Sequence, residues 1–140
     1  MVDLHSILSD HRSRKNAPSR IGDDKSRLDP SVSEIPDIFF DQILVDFRLS
    51  RSEILILMYL YRRVWCRPNL HRIYGISPLL SLKEIEQFLK VPMDEVFTGL
   101  RKLEEFGFIT TIRSGQYFVR KYFTKENDEQ FRQTYDDFEL

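Results

Sequence analysis

Leu80-Ser81-Leu82-Lys83-Glu84-Ile85-Glu86-Gln87-Phe88-Leu89-Lys90-Val91-Pro92-Met93-Asp94-Glu95-Val96 continues through Leu100-Arg101-Lys102-Leu103-Glu104-Glu105-Phe106-Gly107-Phe108-Ile109 to Ser114-Gly115 and Tyr122. Helical spacing of apolar residues predicts one helix over Leu82 to Lys90, with Leu82, Ile85, Phe88 and Leu89 inward. A second helix is predicted over Met93 to Phe106, with Val96, Leu100, Leu103 and Phe106 inward. Gly99 lies inside that second helix, where it costs about 1 kcal/mol relative to alanine; such a residue suits a close helix crossing. Gly107 supplies a stop. Phe108 to Arg113 and Gln116 to Phe123 are rich in β-branched and aromatic residues, so Ser114-Gly115 between them predicts a tight hairpin.

Helix starts recur in one frame. Ser50 with Glu53, and Ser81 with Glu84, are capping boxes: the serine oxygen accepts from the amide three residues on, and the glutamate reaches back to the serine amide. Val91-Pro92-Met93-Asp94-Glu95-Val96 keeps the frame but has proline in place of the capping side chain.

Working outward, Pro36 opens a short helix with Phe39, Phe40, Ile43 and Leu44 on one stripe, ending near Phe47. A longer helix, Arg51 to about Trp65, is apolar nearly all round and suits a central position in the core. Cys66 to Leu80 contains Pro68, Gly75 and Pro78 and is expected to be a long loop. Residues 1–34 lack sustained periodicity and read as a disordered arm; 35–123 form the domain. Residues 124–140 are an acidic tail or docking helix. Phe131, Tyr135 and Phe138 are spaced as one face of an amphipathic helix, which either docks on the domain or acts as a free acidic-aromatic motif.

The chain has 140 residues, 41% hydrophobic and 31% charged, which suits one soluble domain. Its longest apolar run, Ile54 to Tyr61, is too short for a bilayer, so no membrane partner is expected. The N-terminus lacks a signal-peptide core and the lone Cys66 has no disulfide partner, which makes the cytoplasm the expected compartment. Net charge is −1, but 35–123 carry thirteen basic and ten acidic side chains, while 124–140 carry two and six. A mildly basic core with an acidic tail is compatible with nucleic acid, the tail shielding part of the basic surface.

The run from Leu82 to Ile109 resembles the winged helix-turn-helix superfamily, a mainly α fold with a small β-hairpin wing. With Leu49 to Trp65 and the extended loop that follows it, the resemblance is greatest to the N-terminal DNA-binding domains of phage and plasmid replication initiators, and covers about Pro36 to Phe123. It implies double-stranded DNA as partner, in transcriptional regulation or replication. The second helix would then lie in the major groove, with Met93, Asp94, Phe97, Thr98 and Arg101 toward the bases, Lys102 at the edge, and Arg113, Ser114 and Gln116 at the wing tip. Two residues depart from that pattern: Pro92 offers neither hydroxyl nor amide hydrogen to a phosphate, and Asp94-Glu95 place negative charge at the approaching helix end.

Alternatives stay open at each site. Arg101 and Arg113 fit DNA contacts and also solvated surface positions. Met93 and Phe97 fit thymine methyls, or burial against a protein partner or the domain's own tail, which keeps a protein-assembly or self-association module as the rival function. Arg62, Arg63, Arg67 and Arg72, interleaved with Trp65, His71 and Tyr74, fit phosphate or nucleotide contacts, or a cover for the end of the central helix. His5, His11 and His71 are scattered and none has metal-ligand spacing with Cys66; neither metal, cofactor nor catalytic constellation is expected.

Overall fold

In the computed structural model residues 30–138 are described, and the expected disordered arm lies mostly outside them, over 1–29. The compact unit starts at Ser33, because Arg67 Nη1 donates to Ser33 Oγ (3.2 Å) and the Cys66 thiol donates to the Glu34 carbonyl (3.3 Å). Thus Ser33 and Glu34 belong to the domain and not to the arm.

The unit is mainly helical. Helix α1 is a π-type turn, Phe39–Ile43, passing into Leu44–Asp46. Helix α2 spans Arg51–Tyr61 and is extended by a wider turn over Arg62–Cys66. A single 3-10 turn, Arg72–Tyr74, precedes α3 (Leu82–Leu89) and α4 (Met93–Glu105). Strands β1 (Ile109–Arg113) and β2 (Gln116–Val119) form an antiparallel pair, and α5 (Lys125–Gln130) closes the order. None of the helices described is long and apolar enough to cross a membrane.

Helix α2 is the axis of the core, with Ile56, Leu57, Leu60, Tyr61 and Val64 all buried. Its full capping box forms: Glu53 N donates to Ser50 Oγ (3.1 Å) and Ser50 N donates to Glu53 Oε1 (3.0 Å). At α3 only half of the box forms. Ser81 Oγ accepts from Lys83 N and Glu84 N, and the Glu84 side chain makes no return bond. Helix α4 crosses α2 so closely that a Cβ at Gly99 would stand 2.5 Å from Ile56 Cδ1. Its end is a Schellman turn, with Phe108 N to Leu103 O (3.1 Å), Gly107 N to Glu104 O (2.9 Å) and Gly107 at φ 83°.

Other expectations need correction. On α1 the covered face is narrower than the predicted stripe: Phe39 and Ile43 are buried, whereas Phe40 is 54% exposed and Leu44 is also open. Phe88 does not point inward; it is 60% exposed at the margin of α3, its ring beside Tyr59 and beneath the Arg62 guanidinium.

Strand β2 ends at Val119 rather than Phe123. The chain reverses there, and Phe123 takes φ 76° so that its ring can stack on Tyr61 (5.0 Å) inside the core. Finally, the residues after Gln130 are not helical. Arg132 adopts φ 59°, Arg132 N donates to Glu129 O and Gln133 N donates to Asp128 O, which is a helix-terminating turn made without glycine.

The stretch expected to be loop contributes to the sheet. Ile76 bridges Phe118, and Val119 N, Ser77 N and Leu80 N donate to the carbonyls of Gly75, Tyr117 and Gly115 respectively. Residues 75–80 thereby lie along β2. This satisfies backbone groups that a two-stranded ribbon leaves open on that edge.

Candidate nucleic-acid interface

Helix α4 has a buried and an open side. Val96, Gly99, Leu100 and Leu103 face the core, and Asp94, Phe97, Thr98, Arg101 and Lys102 are exposed. Phe97 is 49% exposed. The Thr98 hydroxyl donates to the Asp94 carbonyl one turn back (2.9 Å), so it is satisfied within the helix. Arg101 has no ion pair among the described residues, which leaves its guanidinium available. Lys102 is paired with Glu105 (3.4 Å) and lies over the Phe106 ring (5.3 Å); at this exposure such a pair contributes ~1 kcal/mol or less and opens readily.

Met93 differs from the expected groove-facing position. It is partly buried against the core at the first position of α4, just after the Pro92 cap. The negative charge at the start of α4 is also partly redirected: Glu95 Oε2 accepts from Ser52 Oγ of α2 (2.8 Å). Asp94 remains exposed on the open side.

At the hairpin tip Arg113 and Ser114 are exposed, but Gln116 is 1% exposed and does not belong to an open tip. Its Nε2 donates to the Ser77 carbonyl (3.1 Å) and its Oε1 accepts from Arg113 Nε (2.8 Å). A bulge between Thr111 and Arg113 rotates the strand end, and buried Gln116 then anchors the arginine from beneath. Gln116 is therefore a positioning residue for Arg113.

The four loop arginines do not converge. Arg62 lies over Phe88 (5.4 Å), Arg63 donates to Tyr59 Oη (3.2 Å), and Arg67 donates to Ser33 Oγ and the Cys66 carbonyl. Arg62 borders a mainly apolar cleft with Tyr59 and Phe88, and Arg72 opens into a separate one, where Lys121 joins it over Trp65. Lys121 carries no local sequence signal for this role; its position depends on the reversal after Val119. Burial pushes the Cys66 thiol pKa up, although nearby Arg67 opposes this, so the residue is a protonated thiol donor and not a nucleophilic thiolate.

Comparison with family models, curated proteins and solved structures returned no match to this chain.

Among the described residues the acidic tail is bonded to the base of the hairpin, where Asp128 takes up Arg120, and not to its tip. Asp128 pairs with Arg120 (3.2 Å), accepts from Tyr122 N (3.0 Å) and accepts from Tyr135 Oη (2.6 Å). Tyr135 in turn accepts from Lys121 N (2.8 Å) and packs edge-on against Phe118. Burial, followed by the bond to Asp128, holds the Tyr135 phenol far above its usual range, so it keeps its proton and donates it. The tail is tied to the base of the hairpin, opposite the tip.

Proposed function

We propose that the chain is a winged helix-turn-helix protein that binds double-stranded DNA, acting in transcriptional regulation or replication. The observation that carries this reading is the open side of α4 beside an exposed hairpin tip, with Arg101 on the helix free of ion pairs among the described residues and Arg113 held at the tip by Gln116. Helix α4 would enter the major groove with Phe97, Thr98 and Arg101 toward the base edges, and Arg113 and Ser114 would hold the backbone. Lys102 would follow the groove edge after releasing Glu105.

The test is fluorescence anisotropy of labelled duplexes across a salt series. Binding must weaken steeply with salt, since each neutralised phosphate releases counterions. Arg113→Ala should lower affinity on every sequence and flatten the salt slope, while Arg101→Ala should reduce discrimination between sequences. Absence of binding at low salt, or parental binding by both variants, overturns the proposal.

A specific observation also favours a protein-assembly role. Phe97 and Phe88 are exposed aromatics, and the open side of α4 mixes Asp94 with its cations, which suits a protein surface better than a uniformly basic one does. Sedimentation analysis separates the readings: assembly through these rings predicts salt-insensitive self-association that Phe97→Ser abolishes.

A further inference from the structure

A second polar site lies at the other end of the hairpin. The end of α2, the Arg72–Tyr74 turn and the C-terminal segment border an open cleft of about 430 Å³, lined by residues that include Trp65, Arg72, Lys121, Gln133, Thr134 and Asp136. Its volume falls in the range of small-ligand sites, about 300–1,000 Å³.

The walls are fixed. Trp65 Nε1 donates to the Val119 carbonyl (3.1 Å), which holds the indole plane. The Lys121 backbone is held from both sides, its carbonyl by Tyr61 Oη (2.9 Å) and its amide by Tyr135 Oη (2.8 Å). Burial pushes the Tyr61 pKa up, so that phenol remains a donor. The Asp136 amide is pinned to the Ile73 carbonyl (3.1 Å), which brings its side chain to the cleft.

Charge in the cleft is unbalanced. The Arg72 guanidinium lies 6.0 Å and the Lys121 ammonium 5.7 Å from the Trp65 ring centroid. Neither is within salt-bridge distance of a carboxylate among the described residues. With Asp136 as the one carboxylate beside these two cations, the lining carries a net positive charge, which favours an anion. A phosphate offers acceptor oxygens to both groups at once. Asp136, the one carboxylate in the lining, suits a hydroxyl or amine donor, and the Trp65 indole lines the same cleft.

We propose that this cleft binds a nucleotide unit, with its phosphate held by Arg72 and Lys121 and a sugar hydroxyl donated to Asp136. The unit is either a free mononucleotide or the 5′-phosphorylated end of a single strand. The inference uses none of the residues assigned to duplex binding, so failure of either reading leaves the other standing.

Trp65 is the only tryptophan, so its emission in the full chain reports on the cleft alone. The probes are uridine 5′-monophosphate, uridine, inorganic phosphate, and an oligouridylate with or without a 5′-phosphate, whose 5′-terminal ribose keeps its 2′-hydroxyl, each against sodium chloride of equal ionic strength. We expect a saturable change with uridine monophosphate or with the 5′-phosphorylated strand, and whichever binds more tightly identifies the source. Arg72→Gln and Lys121→Gln should each weaken that binding by about tenfold or more. Asp136→Asn should strengthen inorganic phosphate binding several-fold while weakening the nucleotide relative to it. Circular dichroism checks that each variant is folded. No saturable change beyond sodium chloride, phosphate binding as tightly as the nucleotide, or parental affinity in both cation variants overturns the proposal.

Discussion

Asp128→Ala should destabilise the domain more than any surface substitution, because one carboxylate serves three donors. It is 3% exposed and accepts from Arg120, Tyr122 N and Tyr135 Oη. Truncation leaves a partly buried guanidinium without its counter-charge, and a backbone amide and a phenol without an acceptor. Breaking a buried pair by removing one partner costs about 3–5 kcal/mol. Against a total of about 5–15 kcal/mol for a domain, that is a large fraction. Asp128→Asn keeps an acceptor oxygen and the shape but loses the charge, so it should fall between, at about 1.5–3 kcal/mol. Urea denaturation followed by circular dichroism gives both values from the midpoint at constant slope. Tyr135→Phe removes one of the same bonds, so the double variant Asp128→Ala with Tyr135→Phe should lose less than the sum of its parts. A loss below about 1 kcal/mol for Asp128→Ala, or strict additivity in that cycle, would refute the reasoning.

Gly99→Ala should destabilise by about 1–3 kcal/mol despite alanine's better helix propensity, because its Cβ would meet Ile56 Cδ1 at 2.5 Å. Ile56→Val deletes that atom, so adding it should restore part of the loss in thermal melts. Glu53→Ala should weaken the start of α2 by about 0.5–1 kcal/mol, whereas Glu84→Ala should be nearly neutral and Ser81→Ala should cost ~1 kcal/mol, since only the Ser50 box is reciprocal. Equal effects of the two glutamates in urea melts would contradict this. Tyr61 and Tyr135 both have folded-state pKa values raised above the usual 10.0 by burial. Their contribution is complete below pH 10 and is lost as pH rises beyond it, at about 1.4 kcal/mol per pH unit for each tyrosine ionised only in the unfolded chain. Melting temperature should therefore drop above pH 10, less steeply in Tyr135→Phe; a flat alkaline profile would contradict it.

The helices were legible because their signals are local. Ser50, Ser81, Gly99 and Gly107 each act on residues within a turn or at one crossing, and each does what its chemistry implies. The hairpin turn at Ser114-Gly115 was legible for the same reason. Illegible features depended on partners distant in the chain. Residues 75–80 pair with β2 through backbone groups, which any residue supplies, so their composition still reads as loop. Gln116 looked like a turn residue until Ser77 offered it a buried carbonyl. The C-terminal aromatics kept a helical spacing, yet Arg132 takes a left-handed conformation without a glycine to announce it. In the candidate site, exposure of Arg101 and Arg113 followed from helix and turn position, whereas the pairing of Arg72 with Lys121 required the tertiary reversal at Phe123.

The bond from Leu80 N to the Gly115 carbonyl (2.6 Å) has a mechanical consequence. It fastens the apex of the hairpin to the residue just before the Ser81 cap, and a Cβ at Gly115 would sit 2.6 Å from the Leu80 carbonyl oxygen. The apex therefore has no slack of its own: any tilt of the hairpin drags the first turn of α3 with it. Extra residues at the apex would have to climb over Leu80, so this is a poor place to lengthen the chain or attach a probe. Leu70, 94% exposed in the connection before residues 75–80, offers a tether point away from that bond.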